Sequence, residues 1–143
     1  MKIVLAADHG GYELKETVKS ALERLGFEVF DLGTDGADPV DYPDYGKQAG
    51  EYVASGQAER GIVFCGTGVG IAIAANKVHG IRCAVASDSE RIRLASAHNH
   101  ANILALGGRL TSPEEAMNYI GIWLDTPWDG GRHDNRVAKL DNM

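Results

Sequence analysis

Residues Gly61–Val78 read GIVFCGTGVGIAIAANKV, and this stretch decides the fold. GIVFC is a short apolar run with β-branched and aromatic residues, the pattern of a buried strand. Cys65-Gly66-Thr67-Gly68-Val69-Gly70 then puts three glycines into five residues. Ile71–Val78 continues as a short apolar helix. A buried strand, a glycine turn and a helix form half of a strand-helix-strand crossover, and parallel strands of that kind need both faces covered.

The same alternation extends in both directions. Upstream, Lys2–Ala7 (KIVLAA) reads as a strand, and Leu14, Val18, Ala21, Leu22 and Leu25 recur at helical spacing with Gly26 placed as a C-cap. Glu28–Leu32 is a second strand, Gly33–Pro43 a polar loop, and Asp44–Ser55 a helix. Downstream, Arg82–Ala86 and Asn102–Leu106 are the fourth and fifth strands. Ser87 and Glu90 have capping-box spacing for the helix between them. Ser112-Pro113-Glu114-Glu115 starts another helix, reaching about Leu124. The tail, Thr126–Met143, is polar, with a short helix near Asn135–Leu140. The expectation is an α/β fold with helices on both faces of a five-stranded parallel sheet, and with ligands beyond the carboxyl ends of the strands.

The chain's 143 residues fit one domain spanning 1–143. A net charge of −6 argues against a nucleic-acid or anionic-membrane surface, so an anionic ligand needs a local arginine cluster. No apolar run approaches the ~20 residues of a membrane span. Cys65 and Cys83 are the only cysteines, and reduced thiols in a cytoplasmic protein are the expected state. Without CxxC or paired Cys/His spacing, no structural zinc is expected. His98-Asn99-His100 suggests a metal, but no third ligand stands nearby in sequence.

Several segments carry chemistry. The Gly66–Gly70 turn can aim backbone N–H groups at a phosphate or an oxyanion. It is neither a P-loop nor a dinucleotide fingerprint, because position 71 is Ile71. Cys65, last in its strand, can present a thiolate as nucleophile or carbon-acid base, whereas Cys83 belongs to the core. Asp8-His9-Gly10-Gly11 closes the first strand at the same edge and can move protons, orient a hydroxyl, or simply form a capped turn. Arg132 and Arg136, four apart, share a helix face suited to a phosphate dianion, with Arg109 able to converge from another loop. Asp41-Tyr42-Pro43 reads as a turn, with Tyr42 a core candidate.

Taken in order and spacing, these residues resemble the ribose-5-phosphate isomerase B family, which includes galactose-6-phosphate and allose-6-phosphate isomerases. The resemblance rests on Asp8-His9-Gly10-Gly11, Asp41-Tyr42-Pro43, Cys65–Gly70, Ala74-Ala75-Asn76-Lys77, His98-Asn99, Asn102-Ile103-Leu104-Ala105 and Gly130-Gly131-Arg132-His133 with Arg136. It implies a three-layer α/β/α Rossmann-like sandwich, no metal and no organic cofactor. It also implies a homodimer or dimer of dimers with shared active sites, in which the tail 126–143 contributes to site and interface. Cys65 corresponds to the base acting between C1 and C2; a second branch has Glu at the position of Ile71. Thr67 and His98 match the ring-opening residues. Asp8 and Asn99 match contacts to sugar oxygens, and His9, Arg109, Arg132 and Arg136 match the phosphate site. Tyr42, Gly66, Gly68, Val69 and Gly70 complete the substrate contacts. One departure is His100, where many relatives carry Asp.

The implied reaction interconverts ribose 5-phosphate and ribulose 5-phosphate. Two alternatives are a six-carbon sugar phosphate and a catalytically silent phosphate- or nucleotide-binding module. A thiol phosphatase would need Arg six residues after Cys65, where Ile71 stands.

Overall fold

The computed structural model describes residues 1–143. Its strands are β1 (Lys2–Ala7), β2 (Glu28–Asp31), β3 (Arg60–Cys65), β4 (Cys83–Val85) and β5 (Ile103–Gly107). The helices are α1 (Tyr12–Arg24), α2 (Tyr42–Ala54), α3 (Val69–Asn76), α4 (Ser89–Ala97), α5 (Pro113–Asp125) and α6 (His133–Asp141). All strand pairs are parallel, in the order β2-β1-β3-β5-β4. The chain starts in the middle, steps to one edge, and returns past β1 to β3. The topological switch point therefore lies between β1 and β3, where ligands bind in open sheets.

Alternating residues of each strand feed two cores. Ile3, Leu5, Ile62, Phe64, Leu104 and Leu106 pack with α1, α4 and α5 around Trp123. Val4, Ala6, Val63, Cys65, Ile103 and Ala105 pack with α2 and α3. Each fully buried Ile, Leu or Phe contributes about 1.5–3 kcal/mol relative to exposure, so the two-sided sheet dominates stability. The helix pair α2·α3 approaches closely because Gly46 and Gly50 lack side chains: a Cβ at either would lie 2.8 Å from Ala74 or Val78.

Several local details differ from the sequence reading. Tyr42 opens α2, capped by Asp41 with Pro43 in the first turn, and is 41% exposed, not core. Asp88, not Ser87, caps α4: its carboxylate accepts the Arg91 N–H at 2.8 Å. The carboxylate outcompetes a hydroxyl as an acceptor for the first-turn amides. Leu25 is the C-cap of α1, and Gly26, at φ 92°, takes the left-handed position after it. Cys83 begins β4, half-buried against the α2/α3 core, and burial pushes its thiol up to about 12. The capping box at Ser112 and Glu115 forms as read.

One ion pair is buried. The Lys15 side chain is 0% exposed, and its ammonium bonds both Asp31 oxygens at 2.7 and 2.8 Å. Burial disfavours the Asp31 charge, but Lys15, the Gly33 N–H and Lys19 outweigh it and hold the carboxyl below its ordinary range. A lowered native pKa adds stability above the unfolded value near 4 and loses it as pH falls through the native one. Asp31→Asn should therefore cost about 1–3 kcal/mol at pH 7, because it leaves the buried Lys15 ammonium only Glu16, at 2.8 Å, as an anionic partner. Urea unfolding across pH 2–7 should show that gap narrowing below about pH 4; a gap unchanged at low pH would contradict the assignment.

Glycines give a second test. An added Cβ at Gly11 would sit 2.4 Å from Phe64, whereas Gly121, inside α5, faces open space. Gly11→Ala should lower unfolding free energy by about 3 kcal/mol or more, and Gly121→Ala should raise it by about 0.5–1 kcal/mol.

Candidate active site

Three loops leave the carboxyl edge of the sheet side by side: Asp8–Gly11 after β1, Gly66–Gly68 after β3, and Gly108–Arg109 after β5. They are joined through backbone. Asp8 N–H donates to Phe64 O (3.1 Å), Gly108 N–H to Cys65 O (2.8 Å) and Arg109 N–H to Gly66 O (3.0 Å). Glycine makes this possible. A Cβ at Gly10 would lie 3.0 Å from Gly66 N, at Gly107 2.7 Å from Thr67 backbone, and at Gly108 2.4 Å from Gly10 O.

Cys65 ends β3 on the α2/α3 face and is 4% exposed. Its Sγ accepts the Gly68 N–H at 3.2 Å, so the sulfur sits at the head of α3. Gly68, at φ 83°, turns the chain into that helix. The exposed Thr67 hydroxyl accepts the Val69 N–H at 3.2 Å. The amides of Gly68 and Val69 are thus engaged inside the loop. Those of Gly70 and Ile71, in the first turn of α3, have no intrahelical acceptor; Ile71 is fully buried, which leaves the Gly70 N–H as the one facing a ligand. The Tyr42 ring lies on Gly70, where a Cβ would meet it at 2.7 Å.

Asp8 is buried, and its Oδ1 accepts from Gly10 N–H (2.8 Å) and Gly11 N–H (3.1 Å), tying the turn that starts α1. His9 Nδ1 accepts the Val40 N–H at 3.2 Å, which leaves Nε2 as the ring's donor. Arg109 is exposed, and its guanidinium lies over Gly66, with Nη1 2.8 Å from where a Cβ would stand. Cys65, Thr67, Gly66, Gly68, Val69, Gly70, Asp8, His9, Tyr42 and Arg109 are therefore gathered at the carboxyl edge around the switch point.

His98, Asn99, Arg132 and Arg136 do not join them. His98 caps the end of α4, ahead of β5, at the amino edge of the sheet. Its ring stacks on His133 of α6, centroids 4.3 Å apart. Arg132 caps α6, and both Arg132 and Arg136 are exposed without ion-pair partners. α6 is fastened at the same edge by Asp141, which accepts from Arg82 at 2.6 Å. A six-residue strand separates the edges by roughly 17 Å. Within one chain, then, Arg109 and the Arg132/Arg136 pair do not converge, because the tail folds back beneath the sheet instead of over the crevice.

The sequence reading also missed what surrounds His98. Asp129 Oδ2 lies 3.8 Å from His98 Nε2, fixed by its own N–H to Ala97 O (2.9 Å). His100, at φ 51°, turns away and stacks on Trp128. Desolvation, together with the positive charges of His98, Arg132 and Arg136, holds His133 below the usual imidazole range. No sequence spacing links residues 98, 129 and 133; only the tail's path brings them together.

The Ribose/Galactose Isomerase family model matches residues 3–140. The ribose-5-phosphate isomerase B of Escherichia coli (strain K12) is 43% identical over 139 residues, covering 97% of this chain and 93% of that protein. The ribose-5-phosphate isomerase B structure from Clostridium thermocellum superposes with a TM-score of 0.97 at 50% identity, covering 99% of this chain and 96% of that one. The Mycoplasma genitalium enzyme of the same name, with bound ribulose-5-phosphate, gives 0.93 at 34% identity, covering 99% and 94%. On this evidence of sequence and fold, the chain belongs to the Ribose/Galactose Isomerase family.

Proposed function

We propose that this chain interconverts ribose 5-phosphate and ribulose 5-phosphate, with Cys65 carrying the proton between C1 and C2. The observation that carries the reading is the placement of the Cys65 sulfur at the head of α3, accepting the Gly68 N–H. Removing a proton from carbon next to a carbonyl needs a base within about 3 Å and fixed donors for the enediolate oxygen. The positive end of α3 favours a charged sulfur. The free amide of Gly70 can receive the oxyanion as charge develops.

Thr67 and His98 open the sugar ring before proton transfer, and Asp8 and Asn99 hold sugar oxygens. His9, through its Nε2 donor, acts with Arg109, Arg132 and Arg136 on the phosphate, whose binding energy aligns the reacting carbons. This set cannot close within one copy, since His98, Asn99, Arg132 and Arg136 stand at the far edge. A two-fold pair of chains solves the problem: each amino edge, with its α6, completes the crevice of the other copy. The reaction belongs to the cytoplasm, in keeping with the two free thiols.

Cys65→Ala should lower kcat by about 10²–10⁴-fold or more on ribose 5-phosphate while leaving the folded state intact. Arg136→Ala should chiefly raise KM, by about 10–100-fold, as one charge-assisted contact is lost. A panel of pentose and hexose phosphates checks the substrate: a higher kcat/KM on a hexose phosphate would replace the pentose assignment.

Shared sites make a separate prediction. Co-refolding Cys65→Ala with His98→Ala should restore about one quarter of wild-type activity, because half of all pairs are mixed and each mixed pair carries one intact site of two. A mixture no more active than its parents would show that each copy works alone.

A further inference from the structure

The cluster at the amino edge has a chemistry of its own. His98, Asp129 and His133 each offer one donor atom, all within 4.8 Å of one another. His133 is 6% exposed, and its Nε2 is buried without a hydrogen-bond partner. A buried imidazole nitrogen without a partner costs roughly 1–3 kcal/mol, so something must favour its retention. Backbone contacts hold all three ligands in place: His98 N–H to Leu94 O (2.8 Å), Asp129 N–H to Ala97 O (2.9 Å) and His133 N–H to Gly130 O (3.0 Å).

We propose that His98, Asp129 and His133 form a three-ligand site for a borderline divalent cation, Zn²⁺ being the best match, whose occupancy inhibits the enzyme by removing His98 from the reaction. Two imidazoles and one carboxylate are the donor set Zn²⁺ accepts with a fourth position left for water, whereas Mg²⁺ and Ca²⁺ require mostly oxygen. Bonds of about 2.1 Å set tetrahedral donors about 3.4 Å apart. The His98 and His133 rings are stacked 16° from parallel, so one ion lies in both ring planes only when the half-buried His98 turns out of the stack; the exposed Asp129 then closes on the buried His133. Arg132 and Arg136 lie close enough to oppose a cation here, and their exposure to solvent and salt weakens that opposition without removing it. The inhibitory half of the proposal rests on the ring-opening role given to His98; the binding half does not.

The test is calorimetric titration of the metal-stripped, full-length protein with ZnCl₂, with MgCl₂ as the control. The expected result is one Zn²⁺ per chain and no comparable Mg²⁺ binding. Losing a partner that merely orients a ligand weakens metal sites 10–100-fold, so losing a ligand in Asp129→Asn or His133→Gln should weaken Zn²⁺ at least tenfold. Asp129 is exposed, so its variant keeps the fold if His133→Gln does not. Cys65→Ser and Cys83→Ser should bind Zn²⁺ as the parent does. Unchanged affinity in Asp129→Asn, loss of binding in either cysteine variant, or no saturable binding would overturn the site. Isomerase rates, each scaled to the variant's own metal-free rate, test the second half: Zn²⁺ should inhibit the parent at concentrations at least tenfold lower than Asp129→Asn. Full turnover with the site occupied would refute inhibition and leave the isomerase reading intact. Absence of turnover on any sugar phosphate would defeat the isomerase reading, while calorimetry would still decide the metal site.

Discussion

The site depends on backbone-to-backbone contact among the three loops at the carboxyl edge. Gly108 bonds to Cys65 and Arg109 to Gly66, while Gly10 and Gly107 lie against the same loop at distances no Cβ could share. These contacts fix the sulfur, the helix head and one guanidinium relative to one another without any side chain acting as a spacer. A single side-chain hydrogen bond contributes about 1 kcal/mol and can rotate away. Backbone loops anchored to three adjacent parallel strands cannot, because moving one breaks the sheet register of the others. The positional rigidity that proton transfer demands therefore comes from the strands themselves.

The reach of that rigidity extends to the loop before α2. Asp31, buried against Lys15, also accepts the Gly33 N–H at 2.9 Å, and so sets how the chain leaves β2. The same segment later delivers the Val40 N–H to His9 and the Tyr42 ring to Gly70. A buried ion pair usually offers little net stability over an apolar replacement. Here its effect on geometry is larger: it pins the start of the segment whose end orients the His9 imidazole.

Much of this was legible in the sequence, and for physical reasons. Buried parallel strands are continuous apolar runs, so all five were readable from composition, and glycine turns mark where backbones approach. The edge to which Asp8, Cys65 and Arg109 belong followed from their places after strands. Errors arose where two local signals competed, as at Ser87 and Asp88, where a carboxylate displaced the hydroxyl cap. Tyr42 was misread because its environment, the bare face of Gly70, comes from another helix. The grouping of His98 with Asp129 and His133 was invisible, since nothing in local spacing reveals how a polar tail will lie.

That tail ties the two ends of the molecule into one functional question. α6 is held by the Arg82–Asp141 pair and by the stacking of His133 on His98, and its core contribution is small, chiefly Val137. A helix so lightly packed is poorly explained by stability alone. What it does is present Arg132 and Arg136, free of partners, beside His98 at an edge whose one thiol, Cys83, packs against the α2/α3 core. The opposite edge has the Cys65 thiol and the helix head, but Arg109 is its one guanidinium without an ion-pair partner, since Arg91 is paired with Asp88. Each edge lacks what the other has, and a rigid sheet keeps them roughly 17 Å apart. Flexing one chain cannot remove that gap, because it would unzip the parallel ladder; the proposed pairing of two chains would remove it with no internal change. The chemical incompleteness of each edge thus argues for a second copy more strongly than any exposed apolar surface could.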